Sequence, residues 1–307
     1  MSLSNTAVSS PAAPAAPRPA MTSRLVEARY LIAFLITLVL VVVQFRYHMV
    51  GGYARLATAL GTCVGVEALL SWFDRGKVTN LQSAYISGIS LTLLTKPQGA
   101  VLWPFVVGAI LAIGSKYVVR DEKGHFWNPT NFAIVVLLLA APHKVSVLSH
   151  QWGNDLVTNL VIWTFGVIIA SRVKVLHLTA TYVASFLVLA WVRATLMGQS
   201  VWPEIAPLTG PMYQLFIFFM ITDPRTIVRR RQWQIVVVVA IALVEALIRV
   251  ASDRGVALPI AFNAAPPLVA LFLVGPIALF IERRLATRQA KSGSGVIPRS
   301  AGSAATT

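Results

Sequence analysis

Cysteine is nearly absent from this sequence, and acidic residues are few. The lone cysteine, Cys63, excludes an internal disulfide and cannot supply the thiolate set that holds an iron–sulfur cluster. Only 12% of the residues are charged, about half of the roughly 25% of a soluble domain. The chain therefore lacks the charge to cover a water-facing surface. The His residues at 48, 125, 143, 150 and 177 fall in or near expected loops. None sits at facing mid-helix positions, as a membrane haem with two His ligands requires, so haem is not expected. No His, Cys or carboxylate spacing suggests a metal site. The sequence also lacks a Walker loop, a GxGxxG after a strand, an HExxH and a GxSxG, so the chemistry of the common soluble enzymes has no foothold.

What is present is apolar. Hydrophobic residues make up 56% of the chain, and the mean hydropathy is +0.72. Apolar runs recur from Tyr30 almost to Ile281, which identifies an all-α polytopic membrane protein whose first partner is the lipid bilayer. The net charge of +15 does not signal nucleic acid, because Lys and Arg concentrate between the apolar runs, where they set topology.

About ten transmembrane helices are expected, near 29–47, 54–73, 82–95, 100–118, 129–142, 156–171, 177–197, 208–222, 233–252 and 262–281. With the N-terminus in the cytoplasm, 19 of the 26 Lys and Arg residues fall on that side and 7 on the other. The bias favours ten crossings with both termini cytoplasmic. The first run is too long for a signal h-region and reads as an uncleaved span. Residues 1–28 and 286–307, rich in Ala, Ser, Pro and Gly, read as disordered tails around a membrane domain at 29–285.

The segments near 82–95, 129–142 and 208–222 have only about 14 residues. At about 1.5 Å per residue they reach roughly 21 Å, short of a hydrocarbon core of ~30 Å. Each needs extended backbone beside it, buried in protein or lining a cavity. Pro and Asn stand where that is needed, at Thr95-Lys96-Pro97, Asn128-Pro129-Thr130-Asn131, Thr222-Asp223-Pro224 and Asn263 to Pro267. The segments also echo one another. LTLLTKP at 91–97 returns as FFMITDP at 218–224, and FWNPTNFAIVVLLLAAP at 126–142 returns as AFNAAPPLVALFLVGP at 261–276. The echoes divide the chain into five-helix repeats at about 29–142 and 156–284. An odd number of helices inverts the second repeat, which brings broken-helix ends from both halves together at mid-membrane.

Asn128, Thr130 and Asn131 open a helix whose exposed amides suit an anionic or carbonyl group, or simply cap it. Thr222 and Asp223 offer polar contacts for a ring-shaped ligand or a neighbouring subunit; the alternative is helix termination and capping. Glu67 and Glu245 lie inside apolar segments, where a carboxylate is costly and is either functional or paired. Arg249 gives Glu245 an i,i+4 partner, whereas Glu67 has none nearby, so ion or proton coupling is open to both. Arg193, near a segment end, is expected to snorkel towards the interface. The Trp residues near segment ends read as an interfacial belt.

GISLTLLTKP, GHFWNPTNFAIV, FFMITDPRT and the closing AFNAAPPLVALFLVGPIALFIERR resemble the RnfD/NqrB family, membrane proteins of the Rnf complex and of the sodium-pumping NADH:quinone reductase. The resemblance covers most of 30–285. It implies two inverted five-helix halves, flavin binding and electron transfer in a bacterial inner membrane beside partner redox subunits. It also implies an architecture similar to urea transporters. The sequence departs from the family in one respect. Members with covalent flavin attach it to the Thr of a Ser-Gly-Ala-Thr-like stretch, and the short loop HKVSVLSHQWGND at 143–155 has none. No covalent flavin is expected. The leading reading is thus an electron-transport subunit with a non-covalent flavin (FMN or riboflavin) or quinone at Asn128, Thr130, Asn131, Thr222 and Asp223. One alternative is a small-solute or cation transporter or channel coupled through Glu67. Another is a scaffold that recruits soluble redox partners through Arg225 to Arg231.

Overall fold

The computed structural model describes residues 21–148 and 155–293, with side chains over 30–148 and 155–288. Most of the two expected tails and the middle of the 143–155 loop lie outside the described residues. Helices dominate, in the order α1 (Met21–Tyr47), α2 (Tyr53–Arg75), α3 (Leu81–Leu94), α4 (Trp103–Val118), α5 (Pro129–Ala140), α6 (Leu156–Arg172), α7 (Leu176–Met197), α8 (Val201–Ile205), α9 (Pro211–Leu215), α10 (Arg231–Asp253), α11 (Ile260–Ala264) and α12 (Pro266–Gly293). Four are long and apolar enough to cross a bilayer: α1 over Tyr30–Tyr47, α2, α7 and α10. Phe45, Phe73 and Val118 stand more than three-quarters exposed, as lipid-facing side chains do. This is an all-α membrane protein.

Several boundaries differ from expectation. α1 begins at Met21 and α12 runs to Gly293, so helix extends into both stretches read as tails. The apolar run at 262–281 is two helices. Ala265 breaks it at φ −146° and ψ 61°, and Pro266 opens α12 with the φ a first turn requires. The run near 208–222 is a 3₁₀ turn at Ala206–Thr209, then α9, then a π-helical stretch at Phe216–Met220 closed by Ile221 N donating to Phe216 O at 3.0 Å.

The extended backbone beside α3 takes a form that the sequence does not announce. Thr95 leaves the helix at φ −83° and ψ 125°, and β1 (Thr95–Pro97) pairs antiparallel with β4 (Val145–Val147). Leu148 N donates to Leu94 O at 2.8 Å and Gln98 N to Lys144 O at 2.9 Å, lengthening the ribbon. The ribbon satisfies backbone groups that the short helix leaves open. A second small hairpin, β2 (Arg120–Asp121) with β3 (Gly124–His125), joins α4 to α5.

Two helix pairings recur along the chain, while the close α2–α3 packing has no counterpart in the second half. α2 lies on α4 as α7 lies on α10, and α4 lies on α5 as α10 lies on α12. Between the halves, α1 meets α6, α3 meets α9, and α5 meets α11 and α12. The α1–α6 seam has Phe34 edge-on to Phe165 at 6.3 Å. It ends where Tyr47 Oη donates to Asp155, the N-cap of α6, whose other oxygen accepts from Thr158 N at 3.1 Å.

Where α6 meets the π-helical stretch there is no spare room. A Cβ on Gly166 would lie 2.5 Å from the ring of Phe218, which also packs edge-on to Trp163 at 5.2 Å. Gly166→Ala is expected to cost about 1–3 kcal/mol by overpacking, read as a lowered thermal midpoint in detergent. Gly61→Ala is the control: its Cβ meets nothing within 4 Å, and helix propensity raises the midpoint slightly. The Tyr47 hydroxyl, with the Thr158 amide, holds the Asp155 carboxyl down at about 2. The folded value lies below the ordinary one near ~4, so this tie is complete above ~4 and is lost as pH falls towards 2. Thermal midpoints across that window are expected to fall less steeply in Asp155→Asn than in the unmodified protein.

Candidate functional site

The two Pro-containing motifs meet. Asn128 sits at φ −60° and ψ 125° before Pro129, and its Oδ1 accepts from Asn131 N at 3.1 Å, so it caps α5 in the manner its sequence suggests. Its Nδ2 donates to Asp223 Oδ2 at 3.3 Å, across 95 residues of chain. Asp223 Oδ1 accepts from the backbone amide of Arg225 at 3.1 Å, an Asx turn that stops the π-helical stretch. One hydrogen bond thus joins the start of α5 to the end of the α9 segment.

Asn131 reaches further. Its Nδ2 donates to Leu268 O on α12 at 3.1 Å, while its Oδ1 is buried with no partner among the described residues. Thr130 is buried beside it, 5% exposed. Thr222 turns back on its own helix, Oγ1 donating to Phe218 O at 2.8 Å, and so is not a free polar contact. Trp127, read as part of the interfacial belt with a stacking role as the alternative, links the start of α5 to α12. Its indole N–H donates to Phe272 O at 2.9 Å, and Trp127, Phe132 and Phe272 form a triangle of rings 5.7–5.9 Å apart.

Beside the junction lies a cavity of about 750 Å³ that His125 and Pro224 line, whereas Asn128, Thr130, Asn131, Thr222 and Asp223 are not among its lining residues. His125 is 7% exposed, and its Nε2 has no partner among the described residues. Burial holds the imidazole below its ordinary pKa, against the pull of Asp223, so at neutral pH it is an uncharged ring with one buried, unpaired nitrogen. The wall behind it is fixed by Arg283 of α12. This guanidinium donates to Asp121 Oδ1 at 2.6 Å, Gly124 O at 2.8 Å and His125 O at 3.2 Å, and lies 4.5 Å from the ring of Phe126.

Glu67 and Glu245 stand apart from this junction, each in its own polar cluster. Glu67 has partners after all. Lys116 of α4 pairs with its Oε2, and Tyr117 Oη donates to Oε1 at 2.8 Å. The pair is hidden in the sequence because it spans two helices; Lys116 reads there as one more loop-side cation. Glu245 has the expected Arg249, with Nε and Nη2 each 3.1 Å from Oε1. It also accepts from Tyr182 at 2.5 Å and from Tyr213. Arg193 does not snorkel: it is buried, pairing with Glu204 and lying 3.6 Å from Asp253. Among the described residues no group of His, Cys and carboxylates is placed to hold a metal ion.

No protein-family model matches the chain, and no curated protein matches it.

Lys116→Met leaves Glu67 buried without its cation, a change that costs about 3–5 kcal/mol. A large drop in thermal midpoint is expected. Lys116→Met combined with Glu67→Gln is expected to recover most of it, because the uncompensated charge is gone. A double variant no more stable than the single one contradicts this account of the pair.

Proposed function

We propose that this chain is an integral subunit of an electron-transport system in a bacterial inner membrane. In this reading it is built of two inverted five-helix repeats and binds a non-covalent flavin or quinone where the repeats meet. The observation that carries the proposal is the Asn128–Asp223 hydrogen bond beside the cavity at His125 and Pro224. It joins two short, Pro-bounded segments that the repeat reading assigns to different halves, as a site between repeats requires.

The packing scheme lends support. Under the repeat reading α1 corresponds to α6, α3 to α9, and α5 to α12. These same pairs form the seams between halves, so each seam sets like against like, as an interface around a two-fold axis does. The resemblance of GISLTLLTKP, FWNPTNF and FFMITDPRT to the RnfD/NqrB family supports the same assignment.

The residues present fit a ring-shaped guest. About 750 Å³ lies beside His125, whose buried Nε2 has no partner among the described residues; Asn131 Oδ1, also unpaired, lies outside that lining. A bound flavin or quinone would supply the redox chemistry, which no side chain here offers. His125 would hydrogen-bond the ring edge. The Asn128–Asp223 pair would fix the turn that carries Pro224 into the wall, and Arg283 would hold the opposite wall rigid. Partner redox subunits would deliver and remove electrons. A solute carrier draws less support, because Glu67 and Glu245 each sit in a closed ion-pair cluster rather than facing a shared pathway.

The test is the cofactor content of protein purified in mild detergent. Flavin absorbance in the visible spectrum, or an extractable flavin or quinone by mass spectrometry, is the expected result. Its loss in His125→Leu is expected as well. Colourless protein with neither compound in the extract overturns the proposal.

A further inference from the structure

The mouth of the same cavity has a chemistry that the redox reading does not use. Trp233, Val236 and Val237 of α10 face Leu279, Ile281 and Leu285 of α12, making an apolar trough. Trp233, Val236, Ile281 and Leu285 are all more than half exposed, so the trough opens sideways onto the surface that lipid covers. At the end of the trough stand Lys123, Arg225, Arg229 and Arg230, all exposed. Glu282, the one carboxylate among the lining residues, accepts from the backbone amide of Arg229 at 2.7 Å.

Four exposed cations at one end of an apolar trough match an amphiphile with an anionic head and hydrocarbon tails. We propose that this trough binds an anionic phospholipid. Its phosphate meets the guanidinium groups of Arg225, Arg229 and Arg230, and its acyl chains lie along Val236, Ile281 and Leu285. A soluble acidic protein fits less well, since it would leave the trough walls uncovered. A cluster of arginines at a water–lipid boundary attracts acidic headgroups, and Trp233, in the first turn of α10, is a residue type that prefers that boundary. The lipid fills the outer end of the cavity and leaves His125 at its floor, so the inference holds whether or not a redox cofactor is bound there.

The full-length protein is reconstituted in nanodiscs of phosphatidylcholine with a minor share of a spin-labelled or fluorescent probe lipid, either phosphatidylglycerol or phosphatidylcholine. Selective retention of the phosphatidylglycerol probe is expected. Arg225→Gln, Arg229→Gln and Arg230→Gln combined are expected to reduce that selectivity by roughly a hundredfold, about fivefold for each arginine. Neutralising Lys144 and Arg254, which are exposed away from the trough, is expected to leave it unchanged. Leu285→Asn tests the tails separately, since it removes apolar surface with no change of charge, and is expected to weaken retention of the probe. Equal retention of the two probes overturns the proposal. So does displacement of the probe by glycerol phosphate as readily as by phosphatidylglycerol, which would make the site one for free anions. Displacement by polyglutamate but not by excess phosphatidylglycerol overturns it too, in favour of an acidic protein. Thermal midpoints of all variants confirm folding.

Discussion

In hydrocarbon an unpaired backbone N–H or C=O has no water to turn to, and each one left open costs several kcal/mol. Long helices solve the problem by themselves. Short ones do not, and this chain has several: α3 stops at Leu94, α5 has only the span Pro129–Ala140, and α9 hands over to a π-helical stretch at Phe216. The rest of the structure follows from how those ends are closed. The β1–β4 ribbon closes the end of α3, the Asn128 side chain closes the start of α5, and the Asp223 carboxylate closes the turn after the π-helical stretch. Asn128 and Asp223, once committed to their own helix ends, are positioned to bond each other. The junction beside the cavity is a product of backbone closure before it is anything else.

The buried charges obey a related constraint. A lone carboxylate inside a membrane helix is prohibitive, and a pair is tolerable only if its remaining lone pairs are also occupied. Glu67 meets that condition with Lys116 and Tyr117, and Glu245 meets it with Arg249, Tyr182 and Tyr213. In each cluster the tyrosines or the lysine come from a neighbouring helix of the same half. Such pairs add little net stability over an apolar replacement, but they fix which faces of α2 and α4, or of α7 and α10, come together.

Local rules made some of this legible in the sequence. Asn before Pro at a helix start, Thr-Asp-Pro at a helix end and a Glu-to-Arg spacing of four are each decided within one turn of chain, and Asn128, Asp223 and the Glu245–Arg249 pair behave as read. Apolar runs located the helices for the same reason. Contacts across many residues were not legible. Three-residue strands carry no period, so β1 and β4 looked like loops. Lys116 and Arg283 counted only as topological charge, because nothing in one sequence says which distant group a cation will meet. The break at Ala265 falls within Asn263 to Pro267, where the Asn and the two prolines call for irregular backbone. Of the expected site, Asn128, Asn131 and Asp223 form the junction and Thr222 serves its own helix, while His125, inside the quoted motif, read only as a loop histidine because its burial depends on distant Arg283 and α12.

The β1–β4 ribbon bears on the order of assembly. Its strands, Thr95–Pro97 and Val145–Val147, and the Glu67–Lys116 pair all lie within residues 67–147. Both ties are therefore synthesised before α6, whereas α1 still depends on α6 through the Tyr47–Asp155 bond and α5 on α12 through Asn131.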